Sequence, residues 1–108
     1  DYIAFTTSVD GSSIDLGAGS DTVKLSNLGN SLTLRNVETI LGGSANDVIT
    51  LSASIVTGTI NLAGGQDTLI LGDYVNSLTT INIETLIGGN NSDTVTLGNA
   101  ITGGTLNL

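Results

Sequence analysis

Leu41 to Leu51, LGGSANDVITL, and Ile87 to Leu97, IGGNNSDTVTL, are the two stretches that decide how this chain folds. In each, a glycine pair leads through three small polar residues to an aspartate, Asp47 or Asp93, and then into a short strand of alternating apolar residues. The two aspartates lie 46 residues apart, and sliding residues 1–62 forward by that interval lays them on residues 47–108 without a gap. Ile14-Asp15-Leu16 falls on Ile60-Asn61-Leu62 and again on Leu106-Asn107-Leu108. A fixed period of this length marks a stacked-repeat protein, here with units 1–46, 47–92 and a partial 93–108.

A finer element, Asp-x-U-x-U with U apolar, starts at Asp1, Asp21, Asp47, Asp67 and Asp93, at intervals of 20, 26, 20 and 26 residues. The alternation sends Val23 and Leu25 to one face and Thr22 and Lys24 to the other, so one face is core. Each 46-residue period then holds a short coil and a long one. The long coil has an extended second segment, Ser31–Leu41 or Ser77–Ile87, with a bend near Asn36 or Asn82. Whether Ile40 or Leu41 points inward stays open. Parallel pairing of equivalent strands predicts an all-β, right-handed parallel β-solenoid of about four to five coils, roughly 22 Å long. Its aliphatic columns would be headed by Ile3, Val23, Ile49, Leu69 and Val95, and by Ile14, Ile60 and Leu106.

Composition agrees. Fifteen glycines and no proline, with abundant Thr, Asn, Ser, Leu, Ile and Val, describe short strands joined by tight polar turns. Ten carboxylates against one lysine and one arginine give a net charge of −8, which argues against nucleic acid or an anionic membrane as partner and in favour of cations. Without cysteine or histidine there is no disulfide, no thiolate or imidazole ligand and no imidazole base. No stretch reads as a signal peptide or membrane span, and the chain starts and stops in mid-repeat, as a segment of a longer array would.

Stacking is expected to place the five aspartates in one column along an edge, about 4.8 Å apart, where neighbouring charges repel by about 1 kcal/mol even in water. Protons, turn hydrogen bonds or a divalent cation must therefore satisfy them. Calcium suits the third choice, because it accepts carboxylates together with the free carbonyls of Gly-rich loops. The candidate ligands are the carboxylates of Asp21, Asp47, Asp67 and Asp93, with carbonyls of Gly17, Gly19, Gly43, Ala45, Gly65, Gly89 and Asn91. The plain alternative is an Asx-type turn in which the carboxylate caps loop amides.

Gly42–Thr50 and Gly88–Thr96 resemble the GGxGxDxUx nonapeptide of RTX-type calcium-binding β-rolls, with Ala45 and Asn91 at its third glycine. GAGSDTVK and AGGQDTLI are looser copies, and NVETILGG and NIETLIGG are similar to the lead-in of such repeats in secreted bacterial proteins. RTX repeats recur every nine residues and bind calcium on both edges of the roll, whereas here the motif occurs once per coil. The resemblance implies calcium as cofactor, an extracellular or cell-surface location and a bacterial source.

Glu38 and Glu84 are one period apart, which as two coils would set them about 9.6 Å apart on one face, near an inverting glycosidase spacing. A 46-residue repeat duplicates any glutamate it holds, so no enzyme is expected. Thr22, Thr50, Thr68, Thr94 and Thr96 suggest an outward threonine array, interrupted at equivalent positions by Lys24, Val48 and Ile70. Asn61, Asn107 and the pairs Asn30/Asn76 and Asn36/Asn82 read as amide ladders or turn residues. The expected function is a structural, calcium-stabilised repeat segment of a surface protein such as an adhesin, surface layer or filament, adjoining further repeats or copies of itself head to tail. The rival is a binding module whose regular face recognises a crystal, ice or glycan surface.

Overall fold

The computed structural model describes all 108 residues and contains strands without a single helix. The chain alternates between two sheets, running β1 (Tyr2–Ala4), β2 (Asp10–Asp15), β3 (Thr22–Lys24), β4 (Asn30–Arg35), β5 (Thr39–Leu41) and β6 (Asp47–Leu51). It continues through β7 (Val56–Asn61), β8 (Thr68–Ile70), β9 (Asn76–Ile81), β10 (Thr85–Ile87), β11 (Asp93–Leu97) and β12 (Thr105–Asn107). Odd strands form one six-stranded sheet and even strands the other. Every pairing is parallel. The molecule is therefore the expected β-solenoid, with five complete turns between β1 and β11.

The turns are shorter than the aspartate spacing implied. Register partners step from Tyr2 to Thr22, Thr39, Thr59, Thr79 and Thr96 in the odd sheet, so a turn takes 17 or 20 residues. A 46-residue step carries Asp1, at the head of the odd sheet, to Asp47 in the even one, two and a half turns later. The reason lies at Asn36 and Asn82. Both take the left-handed conformation, with φ of 54° and 53°, and turn what reads as a bent strand into a full corner between sheets. Ser31–Leu41 accordingly divides into β4 on one sheet and β5 on the other.

Sixteen buried apolar side chains fill the space between the sheets. Among the expected column heads, Val23, Ile49, Leu69 and Ile60 are fully enclosed, while Ile14 and Val95 are partly buried against the core. The columns themselves differ from those expected: Ile3, Val23 and Ile60 stack in the odd sheet, and Ile49, Leu69 and Leu106 in the even one. Leu106 departs from expectation: it is 49% exposed, because β12 lies at the edge of its sheet with no level stacked beyond it. The open register at Ile40 and Leu41 resolves with Ile40 inside and Leu41 half-buried on the outer face.

Candidate functional site

Because 46 residues span two and a half turns, the aspartates do not share one column. Asp1, Asp21 and Asp93 sit at the entrances of odd strands, and Asp47 and Asp67 at the entrances of even ones. Glu38 and Glu84 likewise fall on opposite sheets, before β5 and β10, which removes the paired-carboxylate geometry that their spacing suggested. Each sheet edge has its own polar ladder, built by residues that the aspartate pattern alone passes over.

On the even sheet, the Val9 N–H donates to Asn30 Oδ1 at 3.0 Å, and Asn30 donates its N–H and Nδ2 to Asp47 Oδ1 at 3.0 and 2.8 Å. The Asp47 N–H then donates to Asp67 Oδ1 at 2.7 Å, and the Asp67 N–H to Glu84 Oε2 at 2.8 Å. On the odd sheet, the backbone nitrogen of Asp1 meets Asp21 Oδ1, and the Asp21 N–H donates to Glu38 Oε2 at 2.8 Å. After an interruption at β7, Ile55 donates its N–H to Asn76 Oδ1 at 3.1 Å, and Asn76 Nδ2 donates to Asp93 Oδ1 at 2.8 Å. In every case the side chain of one turn caps a group of the turn before it. The 17-residue spacings Asp21–Glu38, Asn30–Asp47, Asp67–Glu84 and Asn76–Asp93 are the sequence signal that would have exposed these ladders.

Asp21, Asp47, Asp67 and Asp93 thus each engage their Oδ1. The other oxygen is not always so engaged. Oδ2 of Asp21, Asp67 and Asp93 is buried without a hydrogen-bond partner, although Asp21 and Asp67 are each only 1% exposed. Asp47 differs, since its Oδ2 lies 3.4 Å from the donating Gly43 N–H. Burial pushes the Asp67 carboxyl up to about 6, an effect that the Asp47 N–H offsets in part and that the charges of Asp47 and Glu84 reinforce. No lysine or arginine reaches either ladder: Lys24 is exposed and Arg35 lies 3.7 Å from Asp15. Asn36 Nδ2 and the Gly17 N–H hold the Asp15 carboxyl below the usual carboxylate range, with Arg35 adding to the effect.

The glycine pairs have a packing cause of their own. A Cβ on Gly43 would stand 2.0 Å from the Ser26 carbonyl oxygen, and one on Gly89 would stand 2.1 Å from that of Gly72, so only glycine lets successive corners stack. The Gly43 carbonyl already accepts the Gly64 N–H at 3.0 Å, Gly65 packs on the Ala45 carbonyl, and Asn91 donates Nδ2 to Asp73 O at 2.8 Å. Gly17 and Gly19 lie in the exposed loop before Asp21, where the Cβ position of Gly19 is 3.9 Å from Asp21 Oδ2. No three acidic side chains converge anywhere.

The outer faces hold the second candidate. Thr22, Thr39, Thr59, Thr79 and Thr96 stand in register on five consecutive odd strands, an unbroken threonine row. Of the threonines expected in one array, Thr50 and Thr68 lie instead on the even sheet, where Ile70 and Val48 are their register partners and interrupt them as expected. Lys24 belongs to a separate row of the odd sheet. No helix is present that could cross a membrane. Comparison with family models, curated proteins and solved structures finds no match to this chain.

Proposed function

We propose that this chain is a structural segment of an extracellular bacterial surface protein, in which calcium at the Gly-rich corners pins the turns together. The observation that supports it is the set of buried, unpartnered Oδ2 atoms of Asp21, Asp67 and Asp93. A buried carboxylate oxygen without a donor is costly unless a proton or a cation satisfies it. Calcium, when bound, supplies positive charge to that oxygen and accepts loop carbonyls alongside it. Carbonyls of Gly17 and Gly19, of Gly65, and of Gly89 and Asn91 adjoin the three oxygens in sequence; Asp47, with both oxygens engaged, is left out of the set. The resemblance of Gly42–Thr50 and Gly88–Thr96 to RTX repeats supplies the bacterial, extracellular setting and the adhesin, surface-layer or filament role. Neighbouring repeats, or copies of the chain head to tail, are the natural partners of a solenoid whose sheets each end in unpaired strands. No enzymatic role is assigned. The test is a thermal melt with millimolar calcium and with chelator: a native-state ligand raises the midpoint by mass action. An unchanged midpoint, with no calorimetric uptake, would leave the ladders as hydrogen-bonded caps only.

The threonine row favours a second reading, a binding module acting through the outer face of the odd sheet. On this reading the ladders set the spacing of the face and the face makes the contact.

A further inference from the structure

Thr59, Thr79 and Thr96 form an outward row of hydroxyls on the last three odd strands, and two residues upstream Ser77 pairs with Thr94. On β7 the partner of Ser77 is the exposed Val56, and Thr57 is the extra residue of a bulge. The rows step about 4.8 Å from strand to strand and lie about 6.6 Å apart along each strand. A bulge between Val56 and Gly58 interrupts the register at β7 and opens a shallow, almost wholly polar depression of about 270 Å³ over these residues. Thr57 forms its rim in the left-handed region, at φ 63°, where the two other copies of the repeat have Gly11 and Gly103. A β-branched residue in that region is a true outlier, and its side chain stands where the other copies of the repeat carry none. Its hydroxyl is tied to the Val56 carbonyl oxygen at 2.6 Å, whereas those of Thr59, Ser77, Thr79 and Thr96 face solvent or the depression. On a chain of net charge −8, none of these residues is charged.

We infer that this depression binds a neutral, extended polysaccharide lying along the stack, with about one sugar ring to each turn; the inference rests on the second reading above. Three features point to that occupant. An uncharged patch on a strongly acidic protein selects a neutral partner, because the patch offers a cation no counter-charge and the net charge of −8 repels an anion. Each Ser or Thr hydroxyl offers one donor and two acceptors, the same inventory as a sugar hydroxyl, so the two surfaces match without a buried unpaired group. The strand-to-strand step is close to the length of a pyranose ring in an extended chain, and the concavity suits a ring better than it suits a flat crystal plane. No aromatic ring lies in the patch to stack on a sugar, so each turn contributes weakly and affinity accumulates only across several turns.

The experiment is calorimetric titration of the 108-residue chain with cellobiose, cellohexaose and maltohexaose. Cellohexaose should bind at least tenfold more tightly than cellobiose, and the curled maltohexaose more weakly than cellohexaose. The double variant Thr59→Lys/Thr79→Lys should lose at least tenfold in cellohexaose affinity, while Thr33→Lys, the equivalent of Thr79 on the opposite sheet, should not. If the lysines unfold the chain, Thr59→Ala/Thr79→Ala removes the hydroxyls alone and gives the same comparison. Equal affinity for dimer and hexamer, or affinity indifferent to both double variants, overturns the proposal. If the chain instead shapes ice crystals, and the double variants abolish that, surface recognition stands and the polysaccharide falls. If neither ligand engages the face, both fall.

Discussion

Asp67 shows what a single buried carboxylate does to the stack. Its folded-state value of about 6 lies above its ordinary 3.8, so the folded form holds a proton that the unfolded chain has already released. The favourable contribution is complete below about pH 4 and disappears as pH rises through about 6. In chelator, the denaturation midpoint should therefore fall between those limits and level off above them. Asp67→Asn keeps an oxygen for the Asp47 N–H and gives up the charge; it should flatten that slope and stabilise the metal-free chain at pH 7 by about 1–2 kcal/mol. The glycines give a sharper contrast. Gly43→Ala drives a methyl into the Ser26 carbonyl and should cost about 1–3 kcal/mol or more. Gly64→Ala, whose added carbon would meet its nearest atom at 3.7 Å, should stay within about 0.5 kcal/mol. Urea denaturation of the two variants side by side measures the difference.

A corner of this solenoid is a strand entrance, a polar side chain and the N–H that it caps in the turn before. Asp47→Ala removes the acceptor of both the Asn30 N–H and its Nδ2 in a buried setting, and should cost about 2–3 kcal/mol. Asp15→Ala, on an exposed corner, should cost less than about 1 kcal/mol, with equilibrium unfolding as the check. The strand elements themselves were readable in sequence, because the inward positions of Val23, Ile49, Leu69 and Ile60 follow a period-two pattern that only a strand obeys. The corners were not. An Asn in the left-handed region leaves no mark in a hydrophobic pattern, so Asn36 and Asn82 read as bends, and the turn length was misjudged from aspartates on different edges. The same error split the threonine row in sequence and hid Glu38 and Glu84 among duplicated surface charges. The aspartates were legible as a recurring element, but their division between the two sheets was not, and which of their oxygens go unpartnered depends on caps from neighbouring turns that no local motif encodes.

Across the whole molecule each turn contacts only the turns above and below, so stability is close to a sum over neighbouring levels. Pairs of reporters on one sheet then give a direct measure of long-range geometry. Thr22 and Thr96 lie on the same outer face, four strands apart in the odd sheet. With a spin label on each, inserting a second copy of residues 47–92 should move them to opposite faces, and inserting two copies should return them to one face at a longer separation. The reason is the two-and-a-half-turn period, and it reaches beyond this chain to the way such arrays can grow. A gene that lengthens by duplicating one repeat rotates everything downstream by half a turn, so a recognition surface that pointed towards its target now points away. Duplications that preserve the orientation of a surface must come in pairs, and any array of two or more copies presents related surfaces to both sides, a rod suited to bridging two targets.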